Sequence, residues 1–145
     1  MNQQKQNHAL EKVKSAVASG SLSASAGENI RAWLTEPRYA AYADEVAEHI
    51  TDEKWKLLDD VFWTVIPFGT GGRRGKMYPI GSNAINDRTI GESAQGLAAY
   101  VKETLGPGAP LSCAIGHDTR HRSDHFARLC AEIMTAAGFT VFFLQ

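Results

Sequence analysis

The chain lacks the sequence features of a membrane or secreted protein. Its 145 residues contain no uninterrupted apolar run near the roughly 20 residues that a membrane-spanning helix needs. The polar start over Met1–His8 has no apolar core of the kind found in a secretory signal. We therefore expect a cytoplasmic protein with no membrane partner.

The chain is also poor in cysteine. Cys113 falls in an apolar strand pattern and Cys130 on a helix face, where a free thiol behaves as a small hydrophobe. A disulfide between them is not excluded, but the expected cytoplasmic location disfavours it.

Paired metal-ligand spacing and a basic surface are missing as well. The histidines show no paired spacing, and the chain has no Asp-rich loop, so we expect no metal site in it. A formal net charge of −1 and a pI near 6.5 argue against nucleic acid as a partner. Positive charge is concentrated after residue 60, where eight Lys or Arg face six Asp or Glu. This pattern favours a small anionic ligand.

A glycine-rich cationic loop over Phe68–Lys76 is the most informative segment. It combines three cationic side chains with four glycines, namely Arg73, Arg74, Lys76, Gly69, Gly71, Gly72 and Gly75. Glycines adopt backbone angles closed to other residues, so several N–H groups can converge on one anion while arginines supply paired donors. The loop therefore predicts a phosphate site, and a flexible turn with arginines in water is the alternative.

The loop matches neither of the two familiar nucleotide-binding patterns. A P-loop would need glycine where the chain has Thr70, and Ser or Thr where it has Met77. The dinucleotide-binding pattern starting at Gly69 meets Arg74 at the position of its third glycine.

The first sixty residues show helical spacing throughout and predict four short packing helices. Ser25–Glu28 has the form of a capping box, and Thr51 is placed to cap a helix over 52–60. The β-branched and aromatic run Val61–Ile66 then predicts a strand that leads into the glycine loop. Aromatic and apolar residues of the helices are expected to pack together, chiefly Trp33, Tyr39, Tyr42, Trp55 and Leu58.

The last third of the chain predicts a parallel βαβ unit. A capping box at Thr89–Glu92 opens a helix to about Leu105, and a strand over 111–116, a helix over 124–137 and a strand over 139–144 follow. The fold class is therefore α/β, with a helical segment over 1–60 ahead of a mixed sheet that contains the βαβ unit.

A second polar loop follows the strand over 111–116, where ligands of such sheets gather. Asp118 is expected to bind local backbone N–H groups, with Arg120 turned toward an anion or toward Asp118, and His117 at the rim. Ser123 stands at a helix N-cap position, so we do not interpret it as a nucleophile. Arg120 and the glycine-loop arginines could hold one phosphate if their strands are parallel neighbours.

These segments, taken in order, resemble the first domain of the α-D-phosphohexomutases, closest to the phosphoglucomutase and phosphopentomutase branch with a helical N-terminal extension. The resemblance covers about 33–145 and rests on Phe68–Gly75, Asn86, Thr89–Ile90, Gln95–Tyr100, Gly116–Arg120 and Gly138. It implies two segments, an extension over 1–60 and a first domain over 61–145 that ends before the phosphoserine loop.

The resemblance implies an isomerase that interconverts sugar 1-phosphates and 6-phosphates, or pentose equivalents, through a phosphoserine and a sugar bisphosphate. By the same resemblance, Arg74 and the Thr70–Gly72 backbone contact the phosphoserine side of the cleft, and Arg120 helps to shape it. Arg73 replaces the usual leucine of the family.

The Ser-His-Asn-Pro phosphoserine loop and the Asp-rich magnesium loop of that family are missing from this sequence. We therefore expect an N-terminal fragment that is inactive alone, with Mg²⁺ held by later domains of the same enzyme and a phosphosugar as substrate. A non-catalytic phosphosugar-binding domain is the alternative, and nucleic-acid binding through Arg73, Arg74 and Lys76 is the least favoured reading.

Overall fold

The computed structural model describes residues 2–144, which form two compact units divided between Asn86 and Asp87. The first unit is helical and has a small β-hairpin after its last helix, and the second unit combines helices with a parallel strand pair.

Four α-helices build the first unit, as the apolar spacing predicts. They are α1 (Gln3–Ala18), α2 (Ala24–Thr35), α3 (Ala43–Thr51) and α4 (Trp55–Phe62), with a 3₁₀ turn at Pro37–Tyr39 between α2 and α3. The buried positions of each helix recur every three or four residues, and they close a common core.

Aromatic packing holds these helices together around Trp33. Its ring stacks on Tyr39 with centroids 4.8 Å apart, and it meets Phe62 edge-on at 5.3 Å. Tyr42 adds a tilted contact at 5.3 Å, and Leu58 is fully buried nearby in the same cluster. The predicted packing role of these side chains is confirmed, and offset aromatic pairs stabilise such a core beyond their buried area.

The predicted helix starts in this unit are wrong by a few residues. Ser23, rather than Ser25, caps α2, because its side-chain oxygen accepts a hydrogen bond from Ala26 N at 3.3 Å. Thr51 ends α3 instead of starting the next helix, and its hydroxyl donates to the Ala47 carbonyl at 2.9 Å. Helix α4 begins only at Trp55.

The predicted strand over Val61–Ile66 is also wrong. Val61 and Phe62 belong to the last turn of α4, and residues 63–67 have no regular structure. Leu58, Val61 and Phe62 are spaced i, i+3 and i+4, so a helix buries all three on one face. A strand would have turned Val61 and Phe62 to opposite faces.

The second unit is the predicted βαβ arrangement. Helix α5 (Asp87–Leu105) precedes β3 (Ser112–Ile115), α6 (Ser123–Ala136) and β4 (Thr140–Phe143). Strands β3 and β4 pair in parallel, with Ser112 opposite Thr140 and Ile115 opposite Phe143. Ala98, Met134 and Phe139 form its small buried core.

Two details of the second unit differ from the sequence predictions. Helix α5 starts two residues before Thr89, which lies inside the helix and is buried instead of capping it. Within residues 2–144 the four strands form two separate two-stranded sheets instead of one mixed sheet. Because Val61 and Phe62 complete α4 and residues 63–67 have no regular structure, no long strand precedes the hairpin to extend a sheet.

Candidate functional site

The glycine loop folds as a tight hairpin. Strands β1 (Phe68–Gly69) and β2 (Gly72–Arg73) pair antiparallel, with Phe68 opposite Arg73, around a turn at Thr70 and Gly71. Gly71 has a φ of +74° and Gly72 a φ of +138°, conformations that L side chains rarely adopt. The backbone of this hairpin therefore requires glycine at positions 71 and 72.

The space beside the turn is open. A Cβ atom added to Gly71 or Gly72 would meet nothing within 4 Å. Main-chain N–H groups in such a glycine turn can be approached closely by an anion, since no side chain stands in the way.

The cations of the loop occupy different environments. The Arg74 side chain is exposed and forms no ion pair with any described residue, whereas Nε and Nη1 of Arg73 are buried without a hydrogen-bond partner. The Lys76 ammonium lies 5.8 Å from the Tyr78 ring centroid. The sequence from 61 to 86 carries these three cations and no acidic residue, so the loop has no counter-charge of its own.

A frame of hydrogen bonds joins the segment before the hairpin to the segment after it. Ile66 N donates to the Ser82 carbonyl at 2.8 Å, and the Ser82 hydroxyl donates to the Thr64 carbonyl at 2.7 Å. Asn83 N donates to the Val61 carbonyl at 2.9 Å. These bonds tie the chain before the hairpin to the chain after it, which fixes where the loop leaves the helical core.

The second loop is organised by Asp118, as the sequence predicts. One carboxylate oxygen accepts the Arg120 backbone N–H at 3.0 Å, and the other accepts Arg120 Nε at 2.7 Å. These bonds, led by the Arg120 backbone N–H, hold the pKa of the Asp118 carboxyl below its ordinary value. The Arg120 side chain is 86% exposed while it pairs with Asp118. His117 is exposed at the rim of this loop.

Ser123 is the first residue of α6 rather than its predicted N-cap. Arg122 occupies the cap position with a φ of +59°, and the Ser123 hydroxyl accepts a hydrogen bond from Asp118 N at 3.3 Å. The serine therefore has a local structural contact within the second loop.

Sequence reasoning missed a charged cluster at the start of α5. Asp87 Oδ1 accepts from Arg122 Nη2 at 2.7 Å and contacts His125 Nε2 at 2.9 Å. Asp87 is 35 and 38 residues away from Arg122 and His125, so no local spacing could have indicated the cluster.

The structure brings some of the predicted site residues together. Thr70 and Gly71 form the hairpin turn, Gly72 begins β2, and Arg74 directly follows β2. Arg120 lies in the second unit. A joint hold of Arg74 and Arg120 on one phosphate stays a prediction.

The two cysteines lie in different elements, β3 and α6. Cys113 and Cys130 are free thiols, and burial raises the pKa of the Cys130 thiol. Between residues 2 and 144, no three His, Cys, Asp or Glu side chains are grouped closely enough to hold a metal ion. Over the same stretch, no helix has the length and apolar character to cross a membrane.

Comparison with known proteins relates the chain to one family. Residues 66–145 match the family described as phosphoglucomutase/phosphomannomutase, alpha/beta/alpha domain I. The chain is 33% identical over 118 residues to a probable phosphoribomutase of Schizosaccharomyces pombe. The aligned residues are 81% of this chain and 20% of that protein.

Two further relatives are also named as phosphomutases. The chain is 32% identical to a phosphoribomutase of Saccharomyces cerevisiae, over 80% of the chain and 18% of the relative. It is 33% identical to a phosphoglucomutase of Staphylococcus haemolyticus, over 70% of the chain and 18% of the relative. The matches thus span about a fifth of these relatives. The comparison with solved structures gave no significant match.

Proposed function

Because this chain belongs to the phosphoglucomutase/phosphomannomutase family, we propose that it is the N-terminal part of a phosphohexomutase. The parent enzyme is an isomerase that interconverts sugar 1-phosphates and sugar 6-phosphates, or the pentose equivalents, through a phosphoserine and a sugar bisphosphate. Support comes from the family match over 66–145 together with the open glycine hairpin that the same stretch contains.

In this proposal the hairpin neutralises phosphoryl oxygens. The Thr70–Gly72 backbone offers N–H donors beside an open space, and Arg74 offers an exposed guanidinium without a partner among the described residues. Phosphoryl transfer depends chiefly on positioning and on charge stabilisation. The lack of any acidic residue between 61 and 86 is the single observation that carries this role, because an incoming phosphate is then the natural counter-charge.

Arg120 is proposed to shape the same cleft in the complete enzyme. Its present partner Asp118 holds the guanidinium at the protein surface. Solvent screens an exposed ion pair strongly, so Arg120 can exchange this partner for a phosphate at little cost.

The other catalytic parts are proposed to lie outside this chain. The division into a helical extension over 1–60 and a first domain over 61–145 belongs to this proposal, as does the phosphoserine in a segment beyond Gln145. Mg²⁺ is expected on that phosphoserine, and the described residues contain no cluster suited to hold it. We therefore expect the fragment alone to be inactive and to need the remaining domains.

Substrate choice is open between hexose and pentose phosphates. Two of the relatives are named phosphoribomutase and one phosphoglucomutase. The test is to complete the chain with the missing domains and to assay glucose 1-phosphate and ribose 1-phosphate in parallel, with Mg²⁺ and the matching sugar bisphosphate as activator. Formation of either product supports the proposal, and inactivity of well-folded complete protein on both substrates contradicts it.

A non-catalytic phosphosugar-binding domain is the alternative function. The observation that favours it is the open hairpin, in which Arg74 has no partner within residues 2–144, since binding needs no nucleophile. Calorimetric titration of the chain with sugar phosphates separates the two: a partial active site binds weakly, whereas a dedicated binding domain saturates tightly.

A further inference from the structure

Arg73 is unusual for a charged residue, because part of its side chain is buried. Its Nε and Nη1 atoms are buried and have no acceptor among the described residues. A buried donor without a partner keeps the full cost of its lost hydration, and a charged donor costs more than a neutral one. The position therefore points to an acceptor that the described residues do not supply.

The surroundings of Arg73 favour an anion as that acceptor. Arg74 and Lys76 follow closely, and no acidic residue occurs between 61 and 86. Three cations without a counter-charge attract an oxyanion, and arginine matches the oxygens of such a group with several donors.

The hairpin leaves room for Arg73 to turn outward. Strands β1 and β2 contain two residues each, and the space beside Gly71 and Gly72 is open. Phe68, the cross-strand partner of Arg73, is 70% exposed. Few contacts must therefore break when the guanidinium moves toward solvent.

We propose that Arg73 is a second phosphate-binding arginine of this hairpin, which turns outward to bind the phosphate group of a sugar phosphate together with Arg74. The change is favourable because the two buried donors gain acceptors when the guanidinium turns outward, and a phosphate group adds a negative charge that water does not supply. The inference rests on the proposed function and extends it, since it adds a residue and a ligand contact to the same loop. A carboxylate from elsewhere in the parent protein would hold Arg73 permanently, and the unpaired Arg74 beside it favours a ligand instead.

The test follows phosphate binding to the 145-residue chain by NMR. The Nε–Hε resonance of Arg73 is recorded while inorganic phosphate, and separately glucose 1-phosphate, is added. Affinities are compared between the wild-type chain, Arg73→Gln, Arg74→Gln and the matched control Arg31→Gln, which removes an exposed arginine of α2. Arg73→Lys and Arg73→Leu are used in place of Arg73→Gln if that variant fails to fold, as judged by its amide spectrum.

We expect phosphate to shift the Arg73 resonance and Arg73→Gln to weaken binding about tenfold, with no change in Arg31→Gln. We also expect Arg73→Leu to unfold at a higher temperature than the wild-type chain without phosphate, because an unsatisfied buried cation is removed.

Wild-type affinity in Arg73→Gln with loss in Arg74→Gln overturns this inference and leaves the proposed function standing. Unchanged affinity in both variants contradicts the phosphate role of the whole hairpin. An Arg73 resonance in the complete protein that does not respond to phosphate indicates a permanent carboxylate partner and also overturns the inference.

Discussion

His49 Nε2 lies 2.7 Å from the Tyr78 hydroxyl and so links helix α3 to the segment that follows the glycine hairpin. The other ring nitrogen, Nδ1, lies 2.8 Å from the Glu45 carbonyl, which can only accept, so Nδ1 carries the hydrogen. In that tautomer Nε2 accepts from the Tyr78 hydroxyl. The pair anchors the frame of the loop to the helical core.

Replacing Tyr78 by phenylalanine should loosen this anchor. We expect Tyr78→Phe to lower the free energy of unfolding by about 1 kcal/mol, since the buried His49 nitrogen loses its donor. Urea denaturation measures the change. Tyr100→Phe is the matched control, because the Tyr100 ring is 65% exposed. Equal stability of the two variants would show that the His49 contact contributes nothing.

Gly81 should tolerate no side chain. Its φ is +116°, and an added Cβ would lie 2.5 Å from the Val61 carbonyl oxygen. Overpacking of this kind costs about 1–3 kcal/mol before the backbone strain is counted. Gly96→Ala in α5 is the control: its Cβ meets nothing within 4 Å, and alanine in a helix interior gains about 0.5–1 kcal/mol over glycine. Thermal unfolding should separate the two variants in opposite directions, and an undiminished stability of Gly81→Ala would contradict the close approach of Gly81 to Val61.

Arg74 should be needed for turnover in the complete enzyme. We expect Arg74→Ala to lower kcat by about 10²–10³, the usual effect of removing one donor that stabilises transition-state charge. Arg31→Ala should leave kcat unchanged. Steady-state assays with glucose 1-phosphate and ribose 1-phosphate provide the measurement. Near-normal turnover of Arg74→Ala would remove Arg74 from the proposed site.

The loop around Asp118 should loosen in acid. Its hydrogen bonds, first of all with the Arg120 backbone N–H, lower the pKa of Asp118 in the folded protein. A lowered folded pKa means that the stabilisation is present above the ordinary value of 3.8 and is lost as the pH falls through the folded value. We expect the Asp118 carboxyl carbon to titrate at a lower pH in the folded chain than in a peptide of residues 116–123. Identical titration curves would show that the loop bonds do not form in solution.

Local sequence signals predicted the second unit well. Helices α5 and α6 and strands β3 and β4 were all expected within a few residues of their observed bounds. Gly106 and Gly138 adopt positive φ after helices α5 and α6, so the ends of these elements depend on residues nearby in the chain.

The secondary structure of Val61–Ile66 could not be assigned correctly from the sequence. Val61 and Phe62 have high strand propensity, yet packing with Trp33 and its neighbours draws them into α4. Tertiary contacts override such weak local preferences when one face of a helix can be buried completely. The same error placed a strand before the hairpin where the chain has no regular structure.

The candidate site was likewise predictable from the sequence only in part. The glycine spacing and the arginines of the loop were visible in the sequence, because positive φ values favour glycine and a proposed phosphate ligand favours arginine. The buried Nε and Nη1 of Arg73 were not visible, and neither was the contact of Asp87 with Arg122 and His125. Burial and ion pairing depend on residues that are distant in the chain.

The amino-acid sequence by itself determined the helical first unit, the parallel βαβ order and the glycine hairpin as an anion-binding candidate, since periodicity and backbone freedom are local properties. Only the tertiary structure decided that residues 61–62 complete a helix, that the strands form two small sheets, and that two adjacent arginines face different environments. Those outcomes follow from which distant side chains compete for the same buried space.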